Sequence, residues 1–198
     1  MKKPDLKINF KAITPAQKKM LLIELIVAVA AIAADWISKL AAFAVLKNHP
    51  DGITVIKDFF LLFADKNDGV AFSMFSGYSR LFGVFSVLVS AAIVWYLLKY
   101  PGEHRLMRNG FLLIFCGGIA NGIERLIYGY VRDFICFTFY SNFNIADAEV
   151  VVGAILVAVY LIFFSSKDLK NKEAARLKQE RQADTAKEPQ VGEKNIQE

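Results

Sequence analysis

Long apolar runs separated by short polar segments dominate the middle of this chain. The clearest run, Leu81–Leu98, contains no charged side chain. Three other runs approach the length of about 20 residues that a helix needs to cross a bilayer. The pattern predicts spans at Leu21–Leu46, Leu81–Leu98, from about Phe111 to Arg125, and at Ile145–Phe164. We therefore expect a mostly α-helical membrane protein with four transmembrane helices.

The segment between the first two spans, residues 47–78, has a different pattern. Ile53–Ile56, Phe59–Ala64 and Val70–Phe75 are short apolar and aromatic stretches separated by turn residues. Such stretches are typical of β-strands, and Asp65–Gly69 is predicted as a hairpin turn. We expect a small β-sheet here, resting on the membrane surface.

The basic residues are concentrated in three places. Six of the 24 Lys and Arg residues lie in residues 1–19, three in residues 99–108 and eight in residues 165–198. Four spans put these segments on one side, which the positive-inside rule predicts to be cytoplasmic. The loops 47–78 and 128–143 then face outward. The net charge of +5 is therefore an orientation signal, and no nucleic-acid partner is expected.

Three parts of the chain follow from these patterns. Residues 1–20 form a basic cytoplasmic N-terminus, residues 21–164 a four-span domain, and residues 165–198 a charged cytoplasmic tail. The tail has eight basic and seven acidic residues and is expected to be disordered or a frayed helix. A cleavable signal peptide over Met20–Ala34 is not expected, because the apolar pattern continues to Leu46.

The composition supports a membrane protein and excludes several kinds of site. Hydrophobic residues make up 55% of the chain and charged residues 22%, and the two kinds are segregated along it. Two cysteines and two distant histidines offer neither a disulfide framework nor the ligand spacing of a zinc site. We therefore expect no metal and no cofactor.

Ionisable residues inside membrane spans cost about 2.5–3.5 kcal/mol each and need a partner or a function. Asp35 and Lys39 lie four residues apart, so in a helix they share a face and can neutralise each other. Asn121, Glu124 and Arg125 place an amide, an acid and a base close together on the third span. Each group is also compatible with a purely structural role in packing the helices together.

Two aspartates flank the aromatic segment between the last two spans. Asp133 follows an arginine in a predicted loop and, taken alone, fits a structural or solvated residue. Asn144 and Asp147 open the fourth span and resemble a helix capping box. The segment between the aspartates carries five aromatic residues, which are typical of the membrane interface. Asp133 and Asp147 can therefore converge at the outer face of the membrane.

Two carboxylates in a partly desolvated site share a proton, so one can activate water while the other polarises a carbonyl. The sequence leaves open which aspartate holds the proton. It contains no HExxH, P-loop or GxSxG motif that would supply another chemistry. A small transporter or channel subunit that uses the intramembrane charges is the main alternative, and a structural membrane subunit is a third.

Four blocks of sequence resemble the lipoprotein signal peptidases (signal peptidase II). The resemblance extends over residues 34–164 and includes the expected order of spans. The blocks are Asp35–Lys39, Asn67–Ser73, Gly117–Arg125 with Gly129 and Val131–Phe134, and Phe143–Asp147. Each block alone is weak, but the four together in this order are specific.

The resemblance implies an aspartyl endopeptidase with Asp133 and Asp147 as its catalytic pair. The residues that it implies for the substrate site are Asn67, Gly69, Asn121, Arg125 and Asn144, with Asp35 and Lys39 nearby. The implied substrates are prolipoproteins carrying a diacylglyceryl-cysteine, cut just before that cysteine at the outer face of the bacterial cytoplasmic (inner) membrane. Membrane lipid and globomycin-like inhibitors are further implied partners.

Two positions depart from the family pattern. Glu124 stands where the family commonly has Asp, and Ala120 where it commonly has Gly. The longer Glu124 side chain is expected to shift its pairing with Arg125, and Ala120 requires slightly more space between helices. Neither residue belongs to the implied catalytic pair.

Overall fold

The computed structural model describes residues 8–69 and 76–185, and four helices in this part are long and apolar enough to cross a membrane. They are α1 (Pro15–Leu46), α2 (Ser79–Lys99), α3 (Arg105–Tyr128) and α4 (Ile145–Phe163). A short 3-10 turn, Phe10–Ala12, precedes α1. The prediction of four apolar helices is confirmed.

Capping residues explain why two helices begin earlier than predicted. The α1 helix begins at Pro15 instead of Leu21, because Thr14 forms a capping box with Gln17. The Thr14 hydroxyl accepts from the Gln17 backbone N–H at 3.3 Å, and the Gln17 side chain accepts from the Thr14 N–H at 2.9 Å. The α3 helix begins at Arg105, where the His104 side chain accepts from the Leu106 N–H. Polar first turns thus extend both helices beyond their apolar runs.

A three-stranded antiparallel sheet accompanies the helices. Its strands β1 (Ile53–Ile56), β2 (Phe60–Asn67) and β3 (Val131–Phe137) lie in the order β1-β2-β3. The first two come from the α1–α2 loop, which confirms the predicted sheet. The third comes from the α3–α4 connection, which the sequence analysis took as a loop. Asp133 is therefore a strand residue, opposite Asp65 of β2.

The predicted hairpin turn was wrong over Asp65–Asn67, which continue strand β2. The β1–β2 turn lies at residues 57–59, where Asp58 adopts a positive φ of 56°. Antiparallel pairing keeps Asp65–Asn67 extended, because these residues lie opposite Val131–Asp133 of β3. The predicted strand Val70–Phe75 lies outside the described residues.

The four helices expose apolar side chains and bury charged ones. Ile26 of α1 is 60% exposed and Leu88 of α2 63%, whereas Asp35, Lys39 and Glu124 are 0% exposed. In water, both the exposure of the apolar side chains and the burial of the charged ones would be unfavourable. In a bilayer the hydrocarbon covers the apolar surface, and the charges pair inside the protein. The exposure pattern therefore supports a multi-pass membrane protein independently of helix length.

One buried ion pair lies near the N-terminal ends of α1 and α3. Arg108 donates to both carboxylate oxygens of Glu24, at 2.8 and 2.6 Å. It also donates to the backbone carbonyls of Leu97 and Tyr100 at 3.0 Å each, and so satisfies the C-terminal end of α2. Glu24, which lies within the first predicted span, is thus paired with an arginine from the basic segment at residues 99–108.

The structure divides into two compact units, the second beginning at Ala158. In that unit the last turns of α4 are followed by a polar helix, α5 (Ser165–Thr185). The Tyr160 hydroxyl contacts the Asp168 carboxylate at 3.4 Å. The first part of the predicted tail is therefore helical.

Candidate active site

Asp133 is held by two amide side chains at the middle of β3. Asn67, the last residue of β2, donates its Nδ2 to Asp133 Oδ2 at 3.0 Å. Asn144, just before α4, donates its Nδ2 to Asp133 Oδ1 at 2.7 Å. Asp133 is only 2% exposed, so these two bonds replace most of the water that a free carboxylate would bind.

Asn144 also connects Asp133 to Asp147. Its backbone N–H donates to Asp147 Oδ2 at 3.1 Å, and its side-chain oxygen accepts from the Asp147 N–H at 3.0 Å. These reciprocal bonds form the predicted capping box at the start of α4. A single asparagine therefore caps the helix and bridges the two carboxylates.

A third amide reaches Asp147 from α3. Asn121 Nδ2 donates to Asp147 Oδ1 at 2.8 Å, while Lys39 Nζ of α1 donates to Asn121 Oδ1 at 2.8 Å. Because the ammonium group only donates, it fixes which end of the Asn121 amide faces Asp147. Every carboxylate oxygen of the two aspartates thus accepts from a side-chain amide or a backbone N–H.

Lys39 is the centre of a buried charge cluster beneath the aspartates. It pairs with Asp35 at 2.7 Å, as predicted, and with Glu124 at 3.3 Å. Asp35 also accepts from the backbone N–H of Ala146 at 2.9 Å and so ties α1 to the start of α4. The second partner of Glu124 is Arg132, which lies next to Asp133 on β3.

The expected pairing of Glu124 with Arg125 was wrong. Adjacent residues on a helix point about 100° apart, so Glu124 faces Lys39 while Arg125 turns elsewhere. Arg125 donates to the backbone carbonyl of Gly69 at 3.3 Å, and its Nε is buried without a hydrogen-bond partner among the described residues. Arg125 therefore retains a donor at the site.

Both aspartates line an open cavity of about 310 Å³ between the helices and the sheet. Asn67, Asn121 and Arg125 also line it, so five of the predicted site residues line the same cavity. Asp35 and Lys39 are fully buried and do not line the cavity. Lys39 instead contacts Asn121, which does. The remaining polar lining, which the sequence analysis missed, consists of Ser86, Tyr140, Ser141 and Asn142.

Asn142 illustrates why these residues were missed. It donates to Asp65 at 2.9 Å, across 77 positions of sequence. Nothing in the local pattern indicates this contact, because it depends on the pairing of β2 with β3. Among the described residues, no group of His, Cys, Asp and Glu is arranged to hold a metal ion.

Burial raises the pKa of Asp133 to about 7, and repulsion from Asp147 acts in the same direction. The amide bonds from Asn67 and Asn144 and the charge of Lys39 oppose this rise without cancelling it. A carboxyl group with this pKa holds a proton for a substantial part of the time near neutral pH. The site can therefore contain one protonated and one ionised aspartate.

A close approach of α3 to α4 holds Asn121 against Asp147. A Cβ added at Gly117 would lie 2.1 Å from the backbone oxygen of Ala146, so the helices must separate to admit any side chain. We expect Gly117→Ala to lower the free energy of unfolding by about 1–3 kcal/mol and to reduce catalysis. The adjacent Gly118→Ala is the control, since its nearest contact is the Ser90 hydroxyl at 3.3 Å. Equal effects of Gly117→Ala and Gly118→Ala on unfolding and on activity would contradict this role of Gly117.

The chain is similar to known bacterial membrane proteins over most of its length. The lipoprotein signal peptidase of Clostridium novyi is 35% identical over 144 residues, which cover 70% of this chain and 97% of that protein. The lipoprotein signal peptidase of Clostridium acetobutylicum is 34% identical over 149 residues, covering 73% and 96%. A bacterial membrane enzyme solved by the in meso method at 2.3 Å resolution superposes with a TM-score of 0.65 at 28% identity, covering 76% of this chain and 91% of that one.

The family profile described as signal peptidase (SPase) II matches residues 27–163. The matched region contains all four membrane helices except the first turns of α1, and it contains every residue of the candidate site. The chain therefore belongs to the signal peptidase II family of bacterial membrane proteases.

Proposed function

We propose that this protein is an aspartyl endopeptidase that removes the signal peptide from diacylglyceryl-modified prolipoproteins, with Asp133 and Asp147 as its catalytic pair. The observation that carries the proposal is that Asn144 bridges the buried Asp133 and the half-buried Asp147, which both line an open cavity. Family membership supports the substrate class, and the geometry supports the aspartyl chemistry.

The environments of the two aspartates suggest different roles. Asp147 lies in the first turn of α4, where the helix N-terminus stabilises a negative charge, and both its oxygens accept hydrogen bonds. Asp133 has a raised pKa and is the better holder of the shared proton. Asp147 would then act as the base toward water, and Asp133 as the acid toward the scissile carbonyl.

The reaction balances with the two aspartates alone. Asp147 removes a proton from water as its oxygen attacks the carbonyl carbon, and Asp133 protonates the carbonyl oxygen. The resulting tetrahedral diol collapses when Asp147 transfers its proton to the leaving amide nitrogen and Asp133 recovers its proton from a hydroxyl. Cleavage of the C–N bond thus regenerates both starting protonation states.

Neighbouring donors would position the peptide. Arg125 lines the cavity and its Nε has no hydrogen-bond partner among the described residues, so its guanidinium is suited to bind a substrate carbonyl. Asn67 and the Gly69 backbone border the same region. Asn144 and Asn121 orient the aspartates, while Asp35 and Lys39 support Asn121 from below. Globomycin-like inhibitors would occupy the same cavity.

The positive-inside pattern supports an orientation with both termini in the cytoplasm. The candidate site then lies at the outer face of the membrane, where a lipid-modified cysteine enters from the bilayer. Cleavage immediately before that cysteine would leave the diacylglyceryl group in the membrane.

Cleavage of a purified prolipoprotein in detergent tests this function. We expect a cut directly before the cysteine, identified by the mass of the released peptide, only when the cysteine carries diacylglycerol. The unmodified prolipoprotein and a prolipoprotein with Ser in place of that cysteine are the controls. Equal cleavage of the modified and unmodified forms would contradict the proposed specificity.

The cleavage rate should depend on pH through the protonation of the Asp133–Asp147 pair. Because the active pair needs one proton and Asp133 has a pKa of about 7, kcat/KM for the free enzyme should fall as pH rises through about 7. At lower pH, protonation of the second carboxylate should also reduce the rate. A profile measured at constant ionic strength checks this. An unchanged rate from pH 6 to 9 would contradict the assignment of the proton to Asp133.

A further inference from the structure

A second cavity, of about 530 Å³, lies between the N-terminal parts of α1 and α3. Its polar lining consists of Gln17, Lys19, Glu24, Arg105, Arg108 and Asn109. Lys19 is 20 residues before Lys39 on α1, which corresponds to about 30 Å along a helix, the thickness of the hydrocarbon core. The cavity is thus separated from the candidate active site by one membrane thickness.

The unpaired groups in this cavity are suited to an anion. The only carboxylate in the lining, Glu24, is neutralised by the bidentate pair with Arg108. Lys19, Arg105 and Asn109 are exposed, and none of their side chains forms a hydrogen bond or ion pair with the described part of the chain. Among the described residues, two free cations and a free amide therefore line a space whose one carboxylate, that of Glu24, is paired.

The apolar side of the cavity points to a lipid. Met20 and Ile23 line it, and Ile23 is 51% exposed. One turn further along α1, Ile26 is 60% exposed, so the apolar surface continues from the cavity toward the middle of the membrane. A phosphate bound between Lys19 and Arg105 would leave acyl chains to run along this surface.

We propose that this cavity binds the head group of a phospholipid with a net negative charge, at the membrane face opposite the candidate active site. Lys19 and Arg105 contact the phosphate, Asn109 donates to a head-group oxygen, and α1 contacts the acyl chains. The proposal is independent of the cleavage chemistry, since none of these residues belongs to the aspartate site.

Native mass spectrometry of the purified protein with phosphatidylglycerol or phosphatidylcholine tests the proposal. We expect one tightly bound phosphatidylglycerol per chain and at least about tenfold weaker binding of phosphatidylcholine. The double variant Lys19→Gln/Arg105→Gln should lose at least about tenfold in affinity for phosphatidylglycerol alone. The control Lys18→Gln/Lys170→Gln removes the same charge from exposed residues outside the cavity and should bind as wild type.

A single substitution with little effect on folding provides a second test of the site. Asn109→Asp keeps the side-chain size and both cations but places a carboxylate in the cavity, so it should also weaken phosphatidylglycerol binding. Circular dichroism in lipid-free detergent checks that each variant is folded. Equal binding of the two lipids, equal losses in the cavity and control double variants, or displacement of the lipid by millimolar inorganic phosphate would each overturn the proposal.

Discussion

Replacing Asp133 or Asp147 by Asn is expected to reduce prolipoprotein cleavage by about 10³-fold or more, because proton transfer by a positioned side chain contributes up to about 10⁴-fold. Asparagine preserves the size of the side chain and can still form hydrogen bonds. It cannot take a proton from water or give one to the carbonyl oxygen. Initial rates with a diacylglyceryl-modified prolipoprotein measure the effect.

Asp68→Asn is the matched control, because Asp68 is an exposed carboxylate that directly follows Asn67 of the candidate site. It should cleave as wild type. Near-wild-type cleavage by both Asp133→Asn and Asp147→Asn would show that the first is only a strand residue and the second only a helix cap.

The stability of Asp133→Asn shows whether a lower cleavage rate comes from the missing carboxyl group or from unfolding. A raised pKa means that the folded protein binds more protons than the unfolded chain between about pH 4 and 7. This carboxyl group therefore makes the free energy of unfolding fall as pH rises through that interval. Asparagine removes the ionisation, so the variant should unfold at the same or a higher temperature than wild type at pH 8.

The helices of this protein could be predicted from sequence because their signals are local. The length of the apolar runs located all four spans. The capping box of Asn144 and Asp147 indicated the start of α4. The i, i+4 spacing of Asp35 and Lys39 correctly indicated their ion pair. Each of these inferences needs only residues within one or two helical turns.

Strand β3 and its contacts could not be predicted in this way. Its aromatic residues are equally typical of a membrane interface, and its pairing with β2 joins distant positions, from Asn67 with Val131 to Phe60 with Phe137. The partner of Glu124 was missed for the same reason, since Arg132 reaches it only once β3 is in place. The sequence thus predicted that Asp133 and Asp147 can converge, but not that a third strand of the sheet, β3, carries Asp133.

The amides of the site explain how the carboxylates of Asp133 and Asp147 are kept in fixed positions. The side-chain oxygens of Asn67, Asn144 and Asn121 accept from the Gly69 N–H, the Asp147 N–H and Lys39 respectively. Each amide therefore has only its N–H groups left for an aspartate. The orientation of Asn121 alone depends on a side-chain charge, which makes Lys39 the most sensitive support of the site.

Lys39→Met is expected to lower the free energy of unfolding by about 3–5 kcal/mol, because Asp35 and Glu124 would lose their shared buried cation. The folded fraction should also cleave about 10²-fold more slowly, since a free Asn121 amide can turn its oxygen toward Asp147 and displace it. Denaturant titration and cleavage rates per folded molecule measure the two effects. Lys47→Met, an exposed site just after α1, should change neither.

Asn121→Leu distinguishes the two functions of Lys39. This variant keeps the ion pairs with Asp35 and Glu124 but removes the amide that transmits the charge to Asp147. We therefore expect a loss of kcat comparable to that of Lys39→Met, with a smaller loss of stability. If Asn121→Leu cleaves as wild type per folded molecule while Lys39→Met does not, Lys39 affects cleavage through its ion pairs with Asp35 and Glu124 and not through Asn121. In that case the Lys39–Asn121–Asp147 connection has no part in catalysis.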